Sequence, residues 1–402
     1  MRQEILKIDN DETSIEITGN QINSIRQKTI SKIGTQIFQD GKIYSASFVG
    51  NIDEDSLTNK ARSNVDGAVP YNYDLNPVND ASTSNLLAIK NKDDFLLETT
   101  AALDYMVKNY PNFIFSGRAT IAKRSVELNF KNEAHLSSHF HLADWNFLYK
   151  HKKSAAIIDG YLGGASVADF NILGIARNYS PYLDVFENII PLKAQKLPVV
   201  FVSQADINLF KKIIESARAD YYKKDVGLFK GKLGQKILSD KFSLYDISYD
   251  PTYLALEYFD AEGFIRNDPK LPLVKNGVFA NIICDANNAK KYNLQTTGNA
   301  KRSFNRGTTL ANNKIVIGHG TRDVQTILKG LPECIIAEFA SGGDFTDSGD
   351  FATPVQNGFL ARDGKIIGRL PQITLTSSVN SMFGNDLLEV AKDAISPLAQ
   401  VY

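Results

Sequence analysis

The sequence predicts an α+β protein, with an N-terminal domain of mixed helices and strands and a mainly antiparallel β C-terminal domain. Turn dipeptides Asp40-Gly41, Asn276-Gly277 and Asp363-Gly364 each lie between strand-like runs, the mark of two-residue hairpins. Residues 91–109 carry a helical apolar face, and strand patterning dominates from Leu244 onward. A chain of 402 residues exceeds one ordinary core, so two domains are expected, 1–192 and 193–402.

In chain order, Ser31 to Val49 alternates apolar and polar residues around Asp40-Gly41. Asn91 to Asn109 places Phe95, Thr99, Ala102, Leu103 and Met106 on one face of a helix that Pro111 stops. Phe113 to Lys150 reads as two long strands, with Val126-Glu127-Leu128-Asn129-Phe130 as clean alternation. Leu183, Phe186 and Ile190 form an amphipathic turn before a boundary near Pro191 to Pro198, and a short buried strand, Val199-Val200-Phe201-Val202, follows. The next helix is expected to be capped by Ser203, with Asp206 in its first turn and Ile207, Phe210, Ile214, Ala217 and Tyr221 as its stripe. A last helix is expected from about Asp386 to Ile395, ending before Pro397.

Composition narrows the function. Hydrophobic residues make up 43% and aromatics 10%, which fits a packed globular protein. Forty-five basic residues balance forty-five acidic ones. Duplex binding draws on a basic excess that displaces counterions, so direct nucleic-acid binding is disfavoured. Cys284 and Cys334 do not make a disulfide framework. Ala155 to Ala176, the most hydrophobic stretch, is interrupted by Asp159 and Asp169 and cannot span a bilayer. Met1-Arg2-Gln3-Glu4 does not open an apolar signal core, and a cytoplasmic location is the expectation.

Glycine-punctuated motifs then run in order: Phe259-Asp260-Ala261-Glu262-Gly263, Lys275-Asn276-Gly277-Val278, and Thr297-Gly298-Asn299-Ala300-Lys301-Arg302. Ser341-Gly342-Gly343-Asp344-Phe345 and Gly349-Asp350-Phe351 close the block. Their order and spacing resemble the C-terminal half of the TldD/PmbA family, linked by name to DNA gyrase and by chemistry to zinc-dependent peptide hydrolysis. The resemblance covers roughly Leu197 to Asp386 and is looser before Ile190, at Lys28-Thr29-Ile30 and Phe38-Gln39-Asp40-Gly41-Lys42-Ile43. In TldD-type members a strand leads into a helix bearing His-Glu-x-x-x-His, and a later cysteine completes the zinc site. Aligned on Pro198-Val199-Val200-Phe201, those positions here hold Ser203, Gln204 and Asn208. A hydroxyl and two carboxamides are poor zinc ligands, and Gln204 has no titratable group. Neither Cys284 nor Cys334 matches the cysteine-bearing segment. The pattern is closest to the PmbA (TldE) branch. It implies a non-catalytic subunit of a TldD/TldE-type metallopeptidase, with no catalytic residue or cofactor of its own. Zinc is expected in a TldD-like partner, linear or unfolded peptides are the expected substrate, and a homodimer is a further possible assembly.

Asp260, Glu262, Gly263, Thr297, Gly298, Asn299, Arg302, Gly342 and Gly343 are the expected substrate-contact residues. Each has a plainer reading. Strand alternation puts Asp260 and Glu262 on one face, where Gly263 marks a bend. Thr297-Gly298-Asn299-Ala300 with Arg302 suits either an anion or peptide carboxylate held by a small nest, or a tight turn that needs positive φ at Gly298. Ser341-Gly342-Gly343-Asp344 lacks the phosphate-loop pattern. His139 and His141 would share a strand face near His135, where a metal is possible but a plain exposed face is favoured. His319 reads as a solvated loop side chain, and Lys150-His151-Lys152-Lys153 as a solvated hairpin cap. Two alternatives stay open: a stand-alone hydrolase using the histidine group, and a non-hydrolytic modulator of a DNA enzyme acting through protein contacts.

Overall fold

The computed structural model describes residues 2–75, 80–86, 91–167, 171–193, 196–202, 209–340 and 342–392. It is an α+β fold. The N-terminal half is one sheet built from β1 (Arg2–Thr18), β2 (Gln21–Gln39), β3 (Lys42–Val49), β4 (Val69–Pro70), β5 (Ala81–Asn85), β6 (Phe113–Phe130), β7 (Ala134–His151) and β8 (Gly160–Ser166). The strand order is β4-β3-β2-β1-β6-β7-β5, with β8 also on β7, and only β5 runs parallel to its neighbour. Helix α1 (Glu54–Ser63) lies over β2 and β3, and α2 (Lys92–Asn109) lies against β6.

Local chemistry explains these elements. Asp40 and Gly41 have φ of 51° and 69°, Asn276 and Gly277 48° and 75°, Asp363 and Gly364 49° and 78°. Positive φ at both central residues is the type I′ turn, whose twist matches that of the strands it joins. The Asn91 side chain caps α2 by accepting from the N–H groups of Asp93 and Asp94. Its buried face is Phe95, Thr99, Ala102, Leu103 and Met106, the stripe the spacing predicts.

The C-terminal half holds two two-stranded sheets and two larger ones among the described residues. One pairs β9 (Val199–Phe201) parallel to Glu333–Ala340, which pairs antiparallel with Asp350–Arg362. The other centres on β10 (Leu244–Ile247), flanked by Lys270–Lys275 and Lys314–Ile317. The largest apolar cluster draws on both halves, joining Phe115, Trp145, Phe147 and Tyr149 to Ile336, Ala337 and Phe359. Inside it Asn357 Nδ2 donates to Tyr149 Oη (2.6 Å) and to Glu338 Oε2 (2.8 Å). Burial pushes the Glu338 carboxyl up to about 8.

The opening residues, to which the sequence reading assigned no element, form β1, a 17-residue strand at the middle of the sheet, with Glu4 inward. Three expectations are corrected. The helix expected through Tyr221 breaks at Arg218, which is extended (φ −75°, ψ 134°) because Ala219 N–H donates to Ile283 O, leaving Lys211–Ala217 and Ala219–Lys223 as separate turns. Ile213, not Ile214, is its buried residue there, and Ser203, Asp206 and Ile207 lie outside the described residues. Residues 386–392 are not helical, and the rest of that expected helix is outside the described residues. His151 is buried, stacked on Phe186 and 2.8 Å from Glu187 Oε1, so it is no part of a solvated cap.

Candidate functional site

The motif at 259–263 and the motif at 297–302 come together. The first is a tight turn and not a strand, which corrects the shared-face reading of its carboxylates. Asp260 Oδ1 accepts from the N–H groups of Glu262 and Phe264, each 2.9 Å away. Its other oxygen accepts from Ala300 N–H at 3.2 Å, and Ala261 N–H returns a bond to Ala300 O at 2.9 Å. Gly263 has φ of 80°, which closes the turn. Gly298 has φ of 68°, and a Cβ there would lie 2.7 Å from Phe264 Cδ1. Thus Gly298 is required twice, by backbone sign and by the aromatic ring on the neighbouring turn.

Both turns hang on a buried ion pair. Asp246, on β10, is fully buried, and its Oδ2 accepts from Arg266 Nη2, from Asn299 Nδ2 at 2.9 Å and from Asn313 Nδ2 at 3.1 Å. Arg266 also donates to Thr297 O and to Asn299 Oδ1 (2.8 Å). Thr297 Oγ1 accepts from Cys284 N–H and donates to Asn299 Oδ1, each at 2.7 Å. The side chains of Thr297 and Asn299 therefore point into this network and serve the scaffold.

Electrostatics sharpen the picture. Burial pushes Asp260 up to about 6 against three backbone donors. Glu262 is pushed up to about 9, first by burial and then by the Asp260 charge, although Ala286 N–H donates to its Oε2 at 2.8 Å. At neutral pH Glu262 keeps its proton.

Arg302 leaves this cluster for the other half of the molecule. Its Nη1 donates to Glu4 Oε1 in a pair whose side chains are only 2% and 1% exposed. Burial raises the Glu4 carboxyl, while Arg302 and Arg2 pull it back. Arg302 also forms part of the wall of a cleft of about 640 Å³, between Thr35, Gln36 and Ser45 of the N-terminal sheet and the 304–308 loop. That loop rides on the sheet at Gly34, where an added Cβ would sit 1.8 Å from Phe304 O. Glycine permits that approach.

The remaining expected residues sit elsewhere. Gly342 and Gly343 pack on the strand Asp350–Arg362: Thr353 Oγ1 donates to Gly342 O at 3.2 Å, and a Cβ on Gly343 would meet Ala352 O at 2.6 Å. His139 and His141 share a face of β7, and His319, exposed in its loop as expected, also bonds Tyr253 Oη (3.1 Å) and Lys392 O (2.8 Å). Among the described residues no three His, Cys, Asp or Glu side chains form a group that could hold a metal. The positions aligned with the family's zinc ligands, Ser203, Gln204 and Asn208, lie outside the described residues, and their donor chemistry does not fit zinc. Cys284 and Cys334 are free and buried, their thiols pushed up to about 12 and about 11 by burial. Sequence reasoning missed Asp246, Arg266 and Glu4, since single charged residues between apolar ones carry no local signal of a distant partner.

Residues 194–400 match the family model described as the PmbA/TldA metallopeptidase C-terminal domain. An uncharacterized protein of Methanocaldococcus jannaschii is 27% identical over 46% of this chain and 41% of its own length. A protein of Buchnera aphidicola named metalloprotease PmbA homolog is 22% identical over 50% of this chain and 43% of its own length. The matched region thus spans less than half of each of these relatives. The fold is shared with TldE of Thermococcus kodakarensis (TM-score 0.82, 18% identity, 98% of this chain and 91% of that one). It is shared too with a Thermotoga maritima protein described as a candidate modulator of a DNA gyrase (TM-score 0.79, 15% identity, 98% and 91%). Because the family model covers just over half of the chain, and the segment it covers carries the two interlocked glycine turns, the chain belongs to the PmbA/TldD metallopeptidase family.

Proposed function

We propose that this chain is the zinc-free subunit of a two-subunit TldD/TldE-type peptidase acting on linear or unfolded peptides, in the cytoplasm. The observation that carries the reading is the donor set at Ser203, Gln204 and Asn208, within a segment that otherwise follows the family. Imidazole and thiolate ligands with an open position are what a hydrolytic zinc needs, and these residues supply none. The glycine turns fit a supporting role, because the oxygens of Asp260 are taken up by backbone donors and one oxygen of Glu262 by Ala286. A peptide-handling surface is available too. Residues 21–30 of β2 pair with β1 only, among the described residues, since pairing with β3 begins at Lys32. Such an edge accepts an extended chain as an added strand.

The test is reconstitution. The isolated chain should leave an unstructured peptide intact, and so should a TldD-type partner by itself. Mixed, the two should cleave it. A partner equally active without this chain, or cleavage by this chain in the presence of a chelator, would overturn the proposal.

A further inference from the structure

We infer that the lysine-rich face built by residues 219–236 and 286–292 binds the surface of an anionic lipid bilayer. Lys230 pairs there with Asp225 and Lys236 with Asp240. Lys223, Lys224, Lys232, Lys290 and Lys291 remain, exposed and without an ion pair among the described residues. Basic and acidic residues balance over the whole chain, so this is a local excess. Packing gathers it on one side. The rings of Tyr222 and Phe229 both meet Phe279, with centroids 6.0 and 5.5 Å away, and Gly234 N–H donates to Phe279 O at 2.7 Å. The helices Ala219–Lys223 and Ala286–Tyr292 both leave the bridge between Arg218 and Ile283 and pack on each other, so the lysines at their far ends emerge together.

Apolar tips stand among these charges. Val226 is 64% and Leu233 41% exposed, on either side of Phe229, which is anchored inward. A Cβ added at Gly231 or Gly234 would meet no atom within 4 Å, so this loop stands clear of its neighbours. The helix dipole accounts for lysines in the two last turns, but for neither Lys232 nor the apolar tips. Protein interfaces favour arginine over lysine, and nucleic-acid sites add arginine forks or stacking rings. Neither segment contains an arginine. Arg218, at the margin, is held by Asp220 and covers one face of the exposed Tyr221 ring, 5.6 Å from its centroid. Lysines are compact charges on flexible stems that follow mobile headgroups, while aliphatic tips between them reach the acyl boundary.

The test sediments the full chain with large vesicles and measures the bound fraction. Vesicles of phosphatidylcholine with about a third phosphatidylserine should retain it, and phosphatidylcholine alone should not. Each lysine near such a surface is worth about fivefold in partition, so Lys223→Gln with Lys232→Gln should lower it about twenty-five-fold. Both side chains are exposed, and the circular dichroism spectrum should not change. Raising salt from about 0.1 M to about 0.5 M should release the wild-type chain. Val226→Ser with Leu233→Ser should weaken binding about tenfold with its salt dependence kept. No binding, equal binding to neutral vesicles, or partition unchanged by loss of the two lysines overturns the surface. Full affinity in the serine pair overturns its assignment to lipid, as does duplex DNA or polyglutamate bound as tightly as the anionic vesicles. None of these outcomes alters reconstituted cleavage, so the subunit reading stands or falls separately.

Discussion

Replacing Asp246 with asparagine tests whether the glycine turns depend on a buried charge. Asp246 is 0% and Arg266 6% exposed, so neither is screened by water. Three side-chain N–H donors, from Arg266, Asn299 and Asn313, converge on Oδ2, and Asn313 N–H points at Oδ1. An asparagine amide must turn its NH2 toward one of these groups, setting donor against donor in either orientation. Removing one partner of a buried pair while stranding the other costs about 3–5 kcal/mol. Urea unfolding at pH 7 should show that loss as a lower midpoint at constant slope. Arg266→Gln in the same background should add far less than it does alone, because the charge it removes is already uncompensated. A loss below about 1 kcal/mol for Asp246→Asn, or additive losses in the double variant, would refute the reasoning, since surface-like substitutions fall in that range.

Glu262→Gln should make stability less sensitive to pH. The Glu262 carboxyl is raised from 4.5 to about 9, so the folded state holds a proton that the unfolded chain releases, and wild-type stability falls as pH rises through that window. The variant should therefore gain on wild type by about 1 kcal/mol or more between pH 5 and pH 8, and parallel unfolding curves across that range would count against it. Gly298→Ala should cost about 1–3 kcal/mol from its φ of 68° alone, with a further penalty from Phe264, and Phe264→Ala should relieve the second part but not the first. Thermal unfolding of the two single variants and the double separates those contributions.

Much of the fold was legible because its signals are local. Asp40-Gly41, Asn276-Gly277 and Asp363-Gly364 dictate their own backbone, and the stripe from Phe95 to Met106 needs only a helical period to be read. β1 escaped because a strand at the middle of a sheet is recognised by apolar residues, and this one carries Glu4, whose partner Arg302 lies 298 residues away. The break at Arg218 escaped for the same reason: helix periodicity continues past it, but a backbone bond to Ile283 ends the helix. At the candidate site, the sequence showed which glycines mark turns but not that the turns at 263 and 298 face each other. Thr297 and Asn299 looked like ligand groups because polar residues beside glycine are common in loops that hold anions; here Asp246 and Arg266 claim them first.

Gly34 has a reach beyond its own strand. Alanine there would put a methyl carbon where the Phe304 carbonyl now sits, so the 304–308 loop would have to lift off β2. Arg302, two residues upstream, would be drawn outward with it and away from Glu4, turning a closed seam between the two halves of the molecule into a wet gap. One absent carbon atom thus sets the gauge of that seam, and swapping it in offers a way to pry the cleft ajar without touching a single charged side chain.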